Sequence, residues 1–246
     1  NKGIENPVVA DDYRSSYLWK EILTPDSLLD IVEHFAFVSQ EKSKVWNGQT
    51  QAIQEVTSSV QIFPRYHQLE VIRKLRDAVK LEGAGHNYLI QHTTGSGKSY
   101  SIGWLAHALA ALYAKEGDTR RLFDSILVIT DRKVLDQQLQ ETVKRLEQTR
   151  GVVHKVDKDS DQLRQYLEAG KDIIITTIQK FPHVSKVISE LKGMTFAVII
   201  DEVHSSQTGE TSKHLKKSLT TGAGPDDDDD DEVTLEDLVQ AELEAR

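Results

Sequence analysis

Tyr88-Leu89-Ile90-Gln91-His92-Thr93-Thr94-Gly95-Ser96-Gly97-Lys98-Ser99 is the stretch on which the fold turns. A short apolar run enters a loop containing two glycines, and a helical pattern leaves it. Strand, glycine loop and helix in that order are the setting a phosphate-binding loop needs. Gly95 and Gly97 permit positive φ and close backbone approach, so that N–H groups from Thr94 to Ser99 can face phosphates at a helix N-terminus. Lys98 is then expected to reach the β- and γ-phosphates of ATP, and Ser99 to ligate Mg2+. The loop departs from G-x-x-x-x-G-K-[ST] at its first position, which is His92.

Working outward, Ser125 to Thr130, Asp172 to Thr176 and Phe196 to Ile200 are further short, β-branched runs, apolar on both faces as buried parallel strands are. Helical segments are expected between them at 98–114, 132–147 and 160–169. The alternation predicts a doubly wound α/β fold, a mostly parallel sheet flanked by helices, with ligands at the carboxyl ends of the strands. The last run ends in Asp201-Glu202-Val203-His204. Adjacent carboxylates are costly to bury without a partner. A magnesium ion explains them: Asp201 would hold the metal through water, and Glu202 would polarise the water that attacks the γ-phosphate.

Before the loop, Thr24-Pro25 reads as an N-cap with proline at the first helical position, followed by the apolar face Leu28, Leu29, Ile31, Val32 and Phe35. Residues 39–61 are polar and weakly patterned, and Phe63-Pro64 breaks the chain. A helix is expected over 66–82, ended by Gly83 and Gly85. The division that follows is an N-terminal helical linker (1–63), an α/β domain (64–222) and a tail (223–246). The tail carries six consecutive Asp, then Glu232, then a segment with Leu235, Leu238, Val239 and Leu243 on one helical face. Its acid run is expected to be a solvated linker, the alternative being a DNA mimic that blocks a basic groove.

Charge and composition exclude several chemistries. The net charge is −9, but residues 225–246 hold 11 acids and one base, so residues 1–224 carry +1. The acidity therefore does not argue against a body that binds a polyanion. With no Cys, there is no disulfide framework, Cys-based zinc finger, iron–sulfur cluster or thiol nucleophile. No apolar run of 18 residues implies a membrane span, and a cytoplasmic setting is expected. The lone Met is Met194 and the chain opens at Asn1, as expected of a piece of a longer protein.

Thr94-Gly95-Ser96-Gly97-Lys98-Ser99 and Asp201-Glu202-Val203-His204 resemble motifs I and II of superfamily-two helicases and translocases, whose motors pair two RecA-like P-loop NTPase domains. Arg65-Tyr66-His67-Gln68, Thr130-Asp131-Arg132, Thr176-Thr177-Ile178-Gln179-Lys180-Phe181 and His204-Ser205-Ser206-Gln207 look like the restriction subunit of type I restriction–modification enzymes. The resemblance covers residues 64–210 and implies the first RecA-like domain of an ATP-dependent translocase on double-stranded DNA. It implies that Gln68 reads the adenine edge, with Arg65 beside it. Thr130, Arg132, Thr177, Gln179 and Lys180 would lie on the nucleic-acid side, and His204 would couple the nucleotide site to neighbouring motifs. Implied partners are methylase and specificity subunits, a second RecA-like domain and a nuclease domain. The chain departs from the family at Val203, where Ala is usual. A motif III segment, the second motor domain and a nuclease core are not found, so residues 1–246 alone should bind nucleotide weakly and hydrolyse it poorly. Two other readings stay open: a stand-alone DNA or RNA helicase, and a non-catalytic nucleotide-binding interaction module.

Overall fold

The computed structural model describes residues 11–48, 51–114, 119–130, 133–147, 151–156, 160–177, 187, 188, 190, 191 and 193–201. They belong to two compact units, residues 1–65 and 66–246. In the first, a π-helical turn at Leu18–Ile22 precedes α1 (Pro25–His34). Thr24 is extended, and proline at N1 gives up a backbone N–H that has no helical partner anyway. Ile31 and Phe35 are buried, while Leu29 and Val32 on the same helix remain exposed.

The expected helical linker is helical only in its first half. Residues 37–62 form an antiparallel hairpin of β1 (Phe37–Asn47) and β2 (Ala52–Ile62), paired from Phe37↔Ile62 to Asn47↔Ala52. The register places Phe37, Ser39, Ser43 and Val45 on one face with Val56, Val60 and Ile62. Serines interrupt the apolar alternation, so the period of two is hard to read from the sequence. Val, Thr and Ile nevertheless favour a pleated surface. At the closed end, the Asn47 amide donates to Gln54 Oε1 at 2.9 Å.

In the second unit α2 (Tyr66–Glu82) stops at Gly83, whose φ is +84°. Then follow α3 (Lys98–Ala110), β3 (Ser125–Thr130), α4 (Lys133–Arg145), β4 (Val153–Lys155), α5 (Ser160–Glu168), β5 (Ile173–Thr177) and β6 (Phe196–Ile200). The four strands pair in the order β4-β5-β3-β6, all parallel. Every residue of β3 is buried, which accounts for its unbroken SILVIT sequence. Leu127, Ile129 and Ile174 pack with Leu163 and Leu167 of α5 on one face. Ile126, Val128, Ile173 and Ile175 alternate to the other, where α3 and α4 pack. Burying a Leu, Ile or Val side chain contributes about 1.5–3 kcal/mol, so this double-sided layer is the unit's main source of stability.

One expected strand is corrected and one unexpected strand is found. The strand expected at Tyr88-Leu89-Ile90 is irregular backbone, and all three side chains are exposed, Leu89 to 61%. A strand is completed by a ladder partner, and no described strand flanks this segment. Composition announces a strand but does not supply its neighbour. Conversely, β4 has only three residues, Val153-His154-Lys155, too short to carry a period. Its pairing with β5 at the sheet's edge makes it a strand.

Candidate nucleotide-binding site

The phosphate loop is built from backbone conformations that favour glycine. Gly95 has φ +77° and Gly97 has φ +86°, and Gly97 is the N-cap of α3. The Ser96 N–H donates to Thr93 O at 3.2 Å, closing the turn. Gly97 O accepts from the N–H groups of Tyr100 and Ser101 at 3.0 and 3.3 Å, so the loop passes directly into the helix. Beneath it, α3 buries Ser101 through Ala106, Leu109 and Ala110. A helix buried on nearly all sides cannot pivot freely, and its N-terminus is a fixed positive end for an anion.

Lys98 Nζ lies 3.0 Å from Asp201 Oδ1. The Asp201 side chain is only 10% exposed, and its backbone N–H donates to Ile129 O at 2.9 Å, continuing the β6–β3 ladder by one residue. Two residues 103 positions apart in sequence thus meet at the carboxyl ends of the strands. An ammonium that can accept phosphate and a carboxylate that can accept a cation are placed side by side. The residues suit a nucleotide with magnesium on two further counts. A Cβ built on Gly95 meets nothing within 4 Å, so space lies open over the loop. The Ser96 hydroxyl is buried without a hydrogen-bond partner among the described residues. Ser99 is half-buried in the first turn of α3, and Thr94 is exposed at the loop's crest.

The N-terminus of α2 supplies contacts that sequence reading missed. His67 Nε2 lies 3.0 Å from Ser96 O. Gln68 is 3% exposed, and its amide nitrogen donates to Gly97 O at 3.0 Å. The residue expected at the adenine edge is thus seated on the phosphate loop. The His67 ring meets the His92 ring edge-on, with centroids 5.5 Å apart. Burial, with the His67 ring and the Lys98 ammonium close by, holds the His92 imidazole below the usual histidine range. Its Nδ1 is buried without a partner among the described residues. The sequence signal for His67 was its place in Arg65-Tyr66-His67-Gln68; nothing in it indicated a contact with Ser96. Arg65 is exposed at the end of the first unit.

Thr130 and Thr177 are brought together as partners at the ends of β3 and β5. Thr130 is 1% exposed and offers no surface to a phosphate chain in this conformation, whereas Thr177 is partly exposed. Arg132, Gln179, Lys180, Glu202 and His204 lie outside the described residues, as do the acid run and the helix expected after it. Among the described residues, no helix is long and apolar enough to cross a membrane.

A parallel sheet flanked by helices, with a glycine loop opening one helix and an acid at a strand end beside the loop's lysine, defines a P-loop nucleotide-binding domain. Residues 49–223 match the family profile described as SWI2/SNF2 ATPase, and the chain belongs to that family. Among curated proteins it is similar to the type I restriction enzyme HindI endonuclease subunit of Haemophilus influenzae, 29% identical over 223 residues. That alignment takes in 86% of this chain and 19% of the relative. A type I restriction enzyme endonuclease subunit of Staphylococcus aureus is 28% identical over 137 residues, 54% of this chain and 14% of its own length. One from Staphylococcus saprophyticus is 26% identical over 136 residues, with the same coverage. The chain therefore spans a fifth or less of the length of these relatives.

Proposed function

We propose that this chain is the ATP-binding half of a motor that tracks along double-stranded DNA in a type I restriction complex. The observation that carries the reading is the meeting of Lys98 and Asp201 at 3.0 Å over a phosphate loop. Lys98 would hold the β- and γ-phosphates, the loop N–H groups from Thr94 to Ser99 would surround them, and Ser99 and Asp201 would hold Mg2+. When bound, the metal neutralises charge developing on the phosphoryl oxygens. Glu202, next after Asp201, would orient the attacking water. Thr177, with Arg132, Gln179 and Lys180, would face the DNA backbone, where hydroxyl, amide and cationic groups hold phosphates without reading sequence. His204 would couple the two sites. A second RecA-like domain would complete the ATPase site, so residues 1–246 alone should turn over poorly. The curated relatives are named as subunits of type I restriction enzymes, which supports assembly with further subunits; methylase and specificity subunits are the partners we propose.

The test is ATP hydrolysis by the full-length protein, with its methylase and specificity subunits, on linear duplexes of increasing length and on single strands. Turnover is expected to rise with duplex length, and Lys98→Ala should lower it by about 10²–10³-fold, as loss of a preorganised charge-stabilising donor does. Stimulation by single strands alone would indicate a strand-separating helicase. Binding of ATP with no nucleic-acid response would indicate an interaction module.

A further inference from the structure

Two successive carbonyls of the phosphate loop, Ser96 O and Gly97 O, are met by side chains from the first turn of α2. His67 Nε2 reaches the first at 3.0 Å, and the Gln68 amide nitrogen donates to the second at 3.0 Å. In a planar trans peptide the carbonyl points opposite to the N–H of the next residue. Holding Ser96 O toward α2 therefore turns the Gly97 N–H away from α2, and holding Gly97 O does the same to the Lys98 N–H. These are two of the N–H groups a phosphate nest uses. A glycine loop needs such restraint, because the freedom that lets Gly95 and Gly97 reach positive φ also lets their peptides flip. Gln68 is packed tightly against the loop: a Cβ on Gly97 would lie 2.6 Å from its Nε2. His67 also meets the His92 ring in a T-shaped contact.

We propose that His67 is a positioning residue for ATP binding, which with Gln68 pins the loop's carbonyls and presets its N–H groups before the nucleotide arrives. The proposal rests on the nucleotide-site reading above. It assigns His67 Nε2 as the proton donor to Ser96 O, with the His92 ring setting the plane in which that proton points. Once phosphates fill the nest they hold the N–H groups themselves, so the clamp acts on binding and little on turnover. The loop enters binding with less disorder to lose, which is how preorganisation raises affinity.

The side-chain geometry provides a selective test. Gln places a donor nitrogen at the same distance along the side chain as His Nε2, Asn places one at the Nδ1 distance, and Phe keeps the ring without a donor. In the full-length protein, His67→Phe and His67→Asn should each raise KM for ATP, and Kd for a fluorescent ATP analogue, by about three- to tenfold. Neither should change kcat by more than about twofold, and His67→Gln should restore wild-type KM. Unchanged KM in His67→Phe would overturn the proposal, and so would a Gln variant as impaired as the Phe variant or a loss confined to kcat. If the wild-type protein binds no nucleotide, the nucleotide-site reading itself fails. A wild type that binds while all three variants match it rejects the clamp alone.

Discussion

Gly97 brings several demands onto one position. Its φ of +86° costs a residue with a Cβ about 1–2 kcal/mol. Its missing Cβ also leaves the space that Gln68 fills, since a Cβ there would come within 2.6 Å of the Gln68 amide nitrogen. Gly95 has a similar φ of +77° but open space around it. Gly97→Ala should therefore lose both the backbone conformation and the Gln68 bond to Gly97 O, worth about 1 kcal/mol more. Gly95→Ala should carry the strain alone. We expect affinity for a fluorescent ATP analogue to fall at least about tenfold in Gly97→Ala and clearly less in Gly95→Ala. Equal losses in the two would show that the contact with Gln68 contributes nothing. The glycines, Lys98 and Asp201 were legible in the sequence because each must be a particular residue type at a particular spacing. His67 was not, because histidine suits many surfaces and its contact joins segments 29 residues apart.

At the scale of elements, α3 and α4 pack closely at Gly103. A Cβ on Gly103 would lie 2.5 Å from Leu146 Cδ1 and 3.6 Å from Val143 Cα. Val143 is fully buried, and its carbonyl meets His107 Nε2 of α3 at 2.9 Å. Burial holds the His107 imidazole below the usual histidine range, as suits a neutral ring between helices. Replacing Gly103 by Ala should gain about 1 kcal/mol of helix propensity and lose a similar amount in moving the Leu146 methyl, so the melting temperature should scarcely change. Gly103→Val adds branches that reach the α4 backbone, and should destabilise by about 1–3 kcal/mol in denaturant unfolding. A valine variant as stable as the alanine one would mean that α4 moves away freely. The core strands and helices were read from period and composition, because burial on both faces leaves a continuous apolar run. The hairpin was not, because backbone pairing holds it while its described side chains stay largely in water, and β4 was not, because three residues carry no period. Tyr88 to Ile90 show the reverse: apolar residues favour a strand, and a ladder partner decides whether one forms.

For the whole molecule the charge distribution sets the remaining question. Residues 1–224 carry +1 and residues 225–246 carry −10, so the net −9 describes the tail and not the body that holds the candidate nucleotide site. A run of like charges near a nearly neutral body can act in two ways. It can remain solvated and serve as a connection, or it can occupy a DNA-binding surface as a polyanion and compete with duplex. The two differ in their response to salt. A competitor that neutralises several basic groups must be displaced before DNA binds, so its removal should raise affinity strongly at low ionic strength and steepen the salt dependence. A solvated connection only repels DNA at long range, an effect screened beyond about 8 Å at 0.15 M salt. Deleting residues 225–232 from the full-length protein should therefore leave duplex affinity within about twofold at that ionic strength, with an unchanged slope of log affinity against log salt. Fluorescence anisotropy on a labelled duplex at four salt concentrations measures both quantities. A tenfold gain in affinity with a steeper slope would identify the acid run as a DNA mimic seated on the motor.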